Sequence, residues 1–174
     1  AYQANGQVKE AVELLERVVA IRREVLKEDH PSRLASQHNL ARAYQANGQV
    51  KEAVELLERV VAIEAEVLKE DHPSRLASQH KLAGAYQANG QVKEAVELLE
   101  RVVAIRTEVL KEDHPDRLAS LHQLARAYQA NGQVKEAVEL LERVVAIRTE
   151  VLKEDHPDRL ASQHELARAY QASG

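Results

Sequence analysis

The chain repeats one 42-residue segment four times, and this regularity limits the fold more than any single motif does. Each copy opens with the letters AYQANGQVKEAVELLERVV, and a last fragment, AYQASG, begins at Ala169. The four copies start at Ala1, Ala43, Ala85 and Ala127. With the last fragment they account for all 174 residues, leaving no linker and no room for a separate domain. Because stacked repeats bury their apolar faces against one another, we expect a single repeat domain over residues 1–174.

Proline and glycine divide every copy into two predicted helices. Each of the four prolines follows Asp-His, as in Asp29-His30-Pro31, and proline suits the first turn of a helix. Each Asn-Gly pair supplies a glycine for the left-handed conformation in which helices commonly end. These glycines are Gly6, Gly48, Gly90 and Gly132. The sequence therefore predicts a shorter helix of about 16 residues between Pro31 and Asn47, and a longer one of about 20 between Gln49 and Lys69.

Apolar residues recur at helical spacing in both predicted helices. On the shorter helix one side carries Leu34, Gln37, Leu40, Ala41 and Tyr44. On the longer helix one stripe is Val50, Val54, Leu57, Val61 and Leu68, and a second is Leu56, Val60, Ile63 and Val67. A helix that is apolar over so wide an arc must contact two neighbours, which is typical of a stacked solenoid. Glycine and proline in every copy exclude an unbroken coiled-coil seam, so we predict an all-α superhelix.

The segment Asn39-Leu40-Ala41-Arg42-Ala43-Tyr44, followed by Gly48 and Glu52-Ala53, resembles the tetratricopeptide-repeat pattern. The extended 42-residue form, with Ala-Ile-Arg near the end of the longer helix and Asp-His-Pro after it, is similar to the repeats of kinesin light chains. The nephrocystins and the repeat arrays of microbial nucleotide-binding receptors are similar too. The near-identity of the copies looks most like those receptor arrays or a consensus design. The resemblance covers the whole chain and implies a right-handed α-α superhelical solenoid of helical hairpins.

Six of the 42 positions differ among the copies, and in the first copy they hold Arg22, Arg23, Ser32, Gln37, Asn39 and Arg42. Ser32, Asn39 and Arg42 fall within about 80° of one another on the shorter helix, on an arc that also holds Ala35. In the tetratricopeptide fold this arc faces the concave groove, so the resemblance implies that a partner peptide or helix binds there. The residues predicted to contact a partner are Ala35, Asn39, Arg42, Lys81, Gly84, Gln123, Arg126, Glu165 and Arg168.

Two interpretations of the variable positions remain open. Either they determine which peptide or protein docks in the groove, or they face solvent and are free to vary. Gln37 and its equivalent Leu121 point toward the apolar side, which favours a packing adjustment. Arg22 and its equivalent Glu64 lie at the edge of an apolar arc, which favours long side chains whose charged ends reach solvent. Of the paired asparagines that hold a peptide's backbone in kinesin light chains, only Asn39 is kept here, and the other seven such positions hold different residues.

Composition excludes several other functions. Lys and Arg number 24 against 28 Asp and Glu, and a net charge of −4 excludes both a nucleic-acid binder with a broad basic surface and a polybasic membrane module. There is no cysteine for thiol chemistry, and histidines repeated about 10 Å apart cannot share a metal ion. We assign the histidines to helix caps and half-buried structural positions, and predict no enzymatic activity, no cofactor and no metal site. With no signal peptide and no span of about 18 apolar residues in view, the sequence predicts a cytoplasmic protein.

Self-association is the alternative function. Natural solenoids usually end in polar capping repeats, and no copy here has that character. We therefore expect a fragment of a longer array, or a consensus design, with apolar surface bare at both ends. Such ends bind head to tail or exchange terminal helices between copies of the chain. On this hypothesis the array is structural and recognises no ligand in the groove.

Overall fold

A computed structural model describes residues 2–173, and these residues form eight α-helices and no strand. The chain divides into two compact units, of which the N-terminal unit ends at Gly90 and the C-terminal unit begins at Gln91. The helices of the N-terminal unit are α1 (Tyr2–Val25), α2 (Pro31–Ala46), α3 (Val50–Val67) and α4 (Pro73–Ala88). Those of the C-terminal unit are α5 (Val92–Val109), α6 (Pro115–Ala130), α7 (Val134–Val151) and α8 (Pro157–Ser173).

Each shorter helix begins at a proline that follows a capping histidine. At the start of α2, the Ser32 main-chain N–H donates to His30 Nδ1 at 3.2 Å, which satisfies a donor that the helix itself cannot pair. The same bond, at 3.1–3.2 Å, is accepted by His72, His114 and His156. The predicted cap role of these histidines is therefore confirmed. The shorter helices α2, α4 and α6 have the predicted length of 16 residues, whereas α3, α5 and α7 have 18, slightly fewer than expected.

A second repeated contact ties each shorter helix to the loop that precedes it. Arg33 Nη1 donates to the Leu26 carbonyl oxygen at 3.1 Å, just beyond the end of α1. The equivalent bonds from Arg75, Arg117 and Arg159 are each 3.0 Å long. A cation is favourable at this place because the last carbonyl groups of a helix lack partners within it. The arginine therefore stabilises the loop of every hairpin.

Glycine ends three of the shorter helices as predicted. The φ angles of Gly48, Gly90 and Gly132 are 81°, 80° and 81°, in the left-handed region that glycine adopts without steric cost. The prediction is wrong at Gly6, which lies inside the continuous helix α1. The five residues before Gly6 match only the last turn of a shorter helix, and so short a segment does not form a separate helix.

The core of each unit consists of Leu, Val and Ala from both kinds of helix. In the C-terminal unit a fully buried Leu141 packs among small residues, which allow the helices to approach closely. These small residues are Ala125, Ala137 and Ala169. Gln37 and Leu121 are both buried, so the predicted packing role of their position is confirmed. Val67 was expected in the apolar stripe of α3, but as the last residue of that helix it is exposed beside a cavity.

Candidate functional site

The predicted contact residues of the N-terminal unit lie on its two shorter helices. Ala35, Asn39 and Arg42 are exposed on α2, and Lys81 is exposed on α4. Gly84, three residues after Lys81, is half-buried. Ala35 and Lys81 line one cavity, whereas the other three residues lie outside its lining. The structure thus brings two of these five residues to a common site.

The predicted contact residues of the C-terminal unit differ in exposure. On α6, Gln123 is half-buried and Arg126 is exposed, and on α8 Arg168 is exposed. Glu165 is buried, and its Oε2 lies 3.6 Å from Arg168 Nη1. Glu165 occupies the repeat position of Lys81 and Gln123, so the exposure of this position differs from copy to copy. Contact of these residues with a partner stays a prediction.

A cavity of about 460 Å³ opens between α2, α4 and the C-terminal end of α3. Its apolar lining consists of Pro31, Leu34, Ala35, Val67, Leu68 and Ala77. Its polar lining consists of Asp29, His38, Glu64, His72, Ser74, Ser78 and Lys81. The volume falls within the range of pockets that bind small molecules, and the mixture of apolar walls with a few polar groups is typical of such pockets.

His38, Glu64 and Ser78 form a polar cluster in this lining. The Ser78 hydroxyl donates to the Glu64 carboxylate, and its oxygen lies 2.9 Å from His38 Nε2. Because a hydroxyl has one proton to donate, His38 must carry its own proton on Nε2 and donate it to the serine oxygen. Burial, helped by the positive charge of Lys81, lowers the pKa of His38 to about 4, so the ring is neutral near pH 7. Burial also raises the pKa of Glu64 above its usual value.

Glu64 does not behave as the sequence led us to expect. Its carboxylate was predicted to reach solvent, but only 3% of the residue is exposed. Its Oε2 accepts no hydrogen bond from any residue in the range 2–173. Neither Glu64 nor Ser78 was among the predicted site residues. The signal for Glu64 was present, since one copy has glutamate where the other three have arginine, whereas Ser78 is the same in all copies and gives no signal.

At the same repeat position, Arg106 and Arg148 are buried too and Arg22 is half-buried, and all three arginines have partners. Arg106 is 5% exposed, and its Nη1 donates to the main-chain oxygen of Asp116 at 2.8 Å and to Ser120 Oγ. Arg148 makes the same pair of bonds one repeat later, at 2.9 and 2.7 Å. Arg22 makes the first of them, to the start of the next shorter helix. The guanidinium groups of Arg106 and Arg148 turn inward because the following helix offers two oxygen acceptors there.

A second cavity of the N-terminal unit, of about 270 Å³, lies among α1, α2 and α3. In its lining, Tyr44 Oη donates to Glu16 Oε1 at 2.8 Å, and burial together with this bond raises the pKa of Tyr44 to about 12. The same tyrosine–glutamate bond recurs from Tyr86 to Glu58, from Tyr128 to Glu100 and from Tyr170 to Glu142. Its presence in every copy indicates a structural bond between helices.

The tetratricopeptide-repeat family model matches residues 1–66, 40–108, 74–150 and 119–174, and these overlapping matches cover the chain. The chain belongs to the tetratricopeptide-repeat family. The predicted repeat class and the all-α fold class are thereby confirmed. Among curated proteins, none matches the chain.

Solved structures of tetratricopeptide-like arrays are similar to this chain over nearly its whole length. A Podosopora anserina protein, named as a kinesin light chain with nearly identical TPR-like repeats, is 74% identical with a TM-score of 0.86, over 99% of this chain and 82% of that one. A single-substitution form of the same protein is 73% identical with a TM-score of 0.88 at the same coverage. BtubC from P. vanneervenii, 22% identical over 99% of this chain and 68% of that one, has a TM-score of 0.81 and shows a likeness of fold alone.

Two further features of the structure concern metal binding and membrane insertion. No three His, Asp or Glu side chains of residues 2–173 are grouped so as to hold a metal ion. In the same part of the chain, no helix is long and apolar enough to cross a membrane. The predicted half-buried position is confirmed for His38, His80 and His122, but His164 is exposed.

Proposed function

We propose that this protein is a non-enzymatic scaffold that binds a peptide or a helix of a partner protein on the face of its shorter helices. The observation that supports the proposal most is the cavity between α2 and α4, whose lining includes Ala35 and Lys81. Both residues are expected from the sequence to contact a partner. Family membership supports the general role, because tetratricopeptide repeats mediate protein–protein interactions. A cytoplasmic location stays a prediction of the sequence.

The other predicted contact residues of the shorter helices would supply varied polar contacts for such a partner. Asn39 offers both an acceptor and donors, and Arg42 offers a planar fork of donors that suits carboxylates. Gly84 replaces the arginine of the other copies and leaves room for a main chain to approach α4. In the C-terminal unit, Gln123 and Arg126 stand at the positions of Asn39 and Arg42. The variable positions therefore give each unit a surface of different charge and shape.

A peptide-library selection tests this proposal. The parent protein is compared with an Asn39→Ala/Arg42→Ala/Lys81→Ala variant, after circular dichroism has shown equal helicity. A matched control, Lys51→Ala/Glu66→Ala, alters exposed residues of α3 outside the cavity lining. We expect the parent and the control to enrich one shared motif, and the triple variant to bind it about tenfold more weakly or not at all.

Two results would contradict the groove proposal. One is equal binding of the enriched peptides to the parent and to the triple variant, because the partner would then lie on another surface. The other is failure of the parent to enrich any motif. That second result would favour the structural alternative.

End-to-end association of copies of the chain is a second candidate function, supported by exposed apolar side chains on α1 and α8. Leu14 on α1 is 61% exposed, whereas its equivalent Leu56 on α3 is 4% exposed. Leu160 on α8 is 49% exposed, whereas its equivalent Leu118 on α6 is 3% exposed. Within the units a longer helix packs against the preceding shorter one, as α3 does against α2. The same packing between molecules would join α8 of one molecule to α1 of the next molecule.

Sedimentation velocity over a concentration series tests this association. We expect the mean mass of the parent to rise with concentration. A Leu14→Glu/Ile21→Glu variant, which puts charge on the exposed face of α1, should stay monomeric. Glu13→Gln, a change at an exposed polar position of α1, is the control and should associate like the parent. A parent that remains monomeric at every concentration contradicts end-to-end association.

A further inference from the structure

The cavity of the N-terminal unit contains a buried carboxylate with unused hydrogen-bonding capacity. Glu64 accepts a bond from Ser78, but its Oε2 has no partner among residues 2–173. Lys81 acts on this carboxylate through space from the exposed side of the lining, and no ion pair joins the two side chains in the described part of the chain. Positive side chains thus act on Glu64 only through space, and a buried carboxylate without a direct ion pair is unfavourable unless a cation completes it.

The other copies show which cation fits at this place. In the third copy the guanidinium of Arg106 donates to the Asp116 main-chain oxygen at 2.8 Å and to Ser120 Oγ. In the fourth copy Arg148 donates to the equivalent atoms at 2.9 and 2.7 Å. A main-chain oxygen in the first turn of a shorter helix and a serine hydroxyl one turn later thus form an acceptor pair for guanidinium.

In the second copy the acceptor residues are present and the guanidinium is missing. Their counterparts are the main-chain oxygen of Ser74 and the hydroxyl of Ser78, and both residues line the cavity together with Glu64. A guanidinium that enters the cavity would meet these two oxygens and the unpaired Oε2. Its several N–H groups can serve more than one acceptor at once, which makes it a better match than a single point charge.

We propose that this cavity binds the arginine side chain of a partner polypeptide, with its guanidinium on Glu64 and its aliphatic stem along Val67, Leu68 and Ala77. The inference rests on the proposed scaffold function and specifies the chemistry of the peptide. Arginine suits the site better than lysine because its guanidinium is planar and more weakly hydrated, so less is lost when it leaves water.

The charges around the cavity are compatible with this ligand and extend the expected motif. His38 is neutral near pH 7 and adds no repulsion, and Asp29 supplies a further carboxylate. Lys81, exposed in the lining, is placed to contact an acidic neighbour of the arginine. In the C-terminal unit Arg148 and Glu165 stand at the positions of Glu64 and Lys81, so the two signs are exchanged. An arginine next to an acidic residue in the partner would complement the charges of the second copy.

An NMR titration of the isotopically labelled chain tests the inference directly. The probe is N-acetyl-arginine methylamide, and its citrulline analogue is the neutral control of the same shape. We expect saturable shifts of the cavity residues with the arginine probe alone. Glu64→Gln should weaken this binding about tenfold, whereas Glu66→Gln, on the exposed side of the same helix, should leave it unchanged. Glu64→Arg, which supplies a guanidinium from within, should abolish binding in a chain that keeps its fold.

The outcomes separate this inference from the function on which it rests. Equal binding of both probes, or unchanged affinity in Glu64→Gln, overturns the arginine site. Selected peptides that lack arginine, and that depend on Asn39 and Arg42 but not on Glu64, overturn it while supporting the scaffold. Binding of the arginine probe with no enriched peptide also overturns it, because the partner is then not a polypeptide. Enriched peptides that share an arginine and lose affinity with Glu64→Gln support both proposals.

Discussion

Replacing Glu64 with arginine should stabilise the N-terminal unit, because it supplies the guanidinium that the acceptor pair of the second copy lacks. Arg106 and Arg148 occupy this repeat position with both oxygens bonded, and they are 5% and 7% exposed. The backbone of the second copy has the same helix lengths as that of the third. The variant should therefore adopt a geometry that the molecule already uses elsewhere.

The expected gain can be worked from these contacts. Two hydrogen bonds from a charged donor contribute about 1.5 kcal/mol each, taking the low end of the usual range. Ordering the arginine side chain costs about 2 kcal/mol, and removing the unsatisfied buried oxygen of Glu64 returns about 1 kcal/mol. The free energy of unfolding should thus rise by about 2 kcal/mol, equivalent to a melting temperature about 4 to 8 °C higher for a chain of this size.

Thermal and urea unfolding of Glu64→Arg, followed by circular dichroism, measures this gain. Hydrogen exchange of α3 and α4 shows whether it is local, as expected for a repeat protein whose stability is a sum of neighbouring contributions. Glu66→Arg makes the same change of net charge at an exposed position of α3 and should have little effect. A Glu64→Arg chain no more stable than this control would refute the reasoning. Adding Lys81→Glu gives the second copy the residue combination of the fourth, Arg148 with Glu165, and removes a positive charge near the new guanidinium, so it should increase the gain further.

Two other predictions concern pH and glycine. The folded-state pKa of His38, about 4, lies below its unfolded value of 6.5, so stability is full above pH 6.5 and falls by up to about 3 kcal/mol as the pH is lowered through 4. The raised pKa of Glu64 acts in the opposite direction in both proteins, so acid titration of His38→Gln beside the parent isolates the histidine; equal curves would contradict its role. Gly48→Ala should destabilise by about 1 kcal/mol because an L-residue is strained at φ of 81°, whereas Gly6→Ala, inside a helix, should stabilise by about 0.5 to 1 kcal/mol. Thermal unfolding checks these opposite signs, and the same sign for both would contradict the assigned backbone of α1.

The helices could be predicted from the sequence because their signals are local. Proline and its preceding histidine specify the start of a helix wherever they occur, and an Asn-Gly pair specifies its end when a full shorter helix precedes it. Gly6 shows that the Asn-Gly pair ends a helix only under this condition. There the same letters lie in mid-helix, because too few residues of a shorter helix come before them. Val67 shows a further limit. Its apolar character fits the stripe of α3, but whether a residue at the end of that stripe is covered depends on where the next helix begins.

The candidate site was predictable only in part, because it depends on contacts between helices. Lys81 was identified because its position varies among the copies, and Ala35 because it lies on the same helix arc; the structure places both in the cavity lining. Glu64 was assigned to solvent because a long charged side chain at the edge of an apolar arc usually ends there. That rule assumes no hydrogen-bonding partner on the inner side. For Glu64 the partner is the Ser78 hydroxyl, a donor on the next helix, so the direction of the Glu64 side chain is a tertiary property.

The second copy retains the serine acceptor while it lacks the arginine donor. This combination favours recognition of a ligand at the position of Glu64 over free variation of that residue. Free variation of an exposed position carries little cost, but Glu64 is buried with an oxygen unpaired, and arginine at the same place forms two bonds in other copies. If Glu64→Arg stabilises the chain as predicted above, the second copy carries a less stable residue at a position where arginine finds two acceptors. Lost stability of this kind is typical of functional sites, where a group is kept unsatisfied until its ligand arrives. If the ligand is a partner's arginine, binding restores to the second copy the bonds that the third and fourth copies make within the chain.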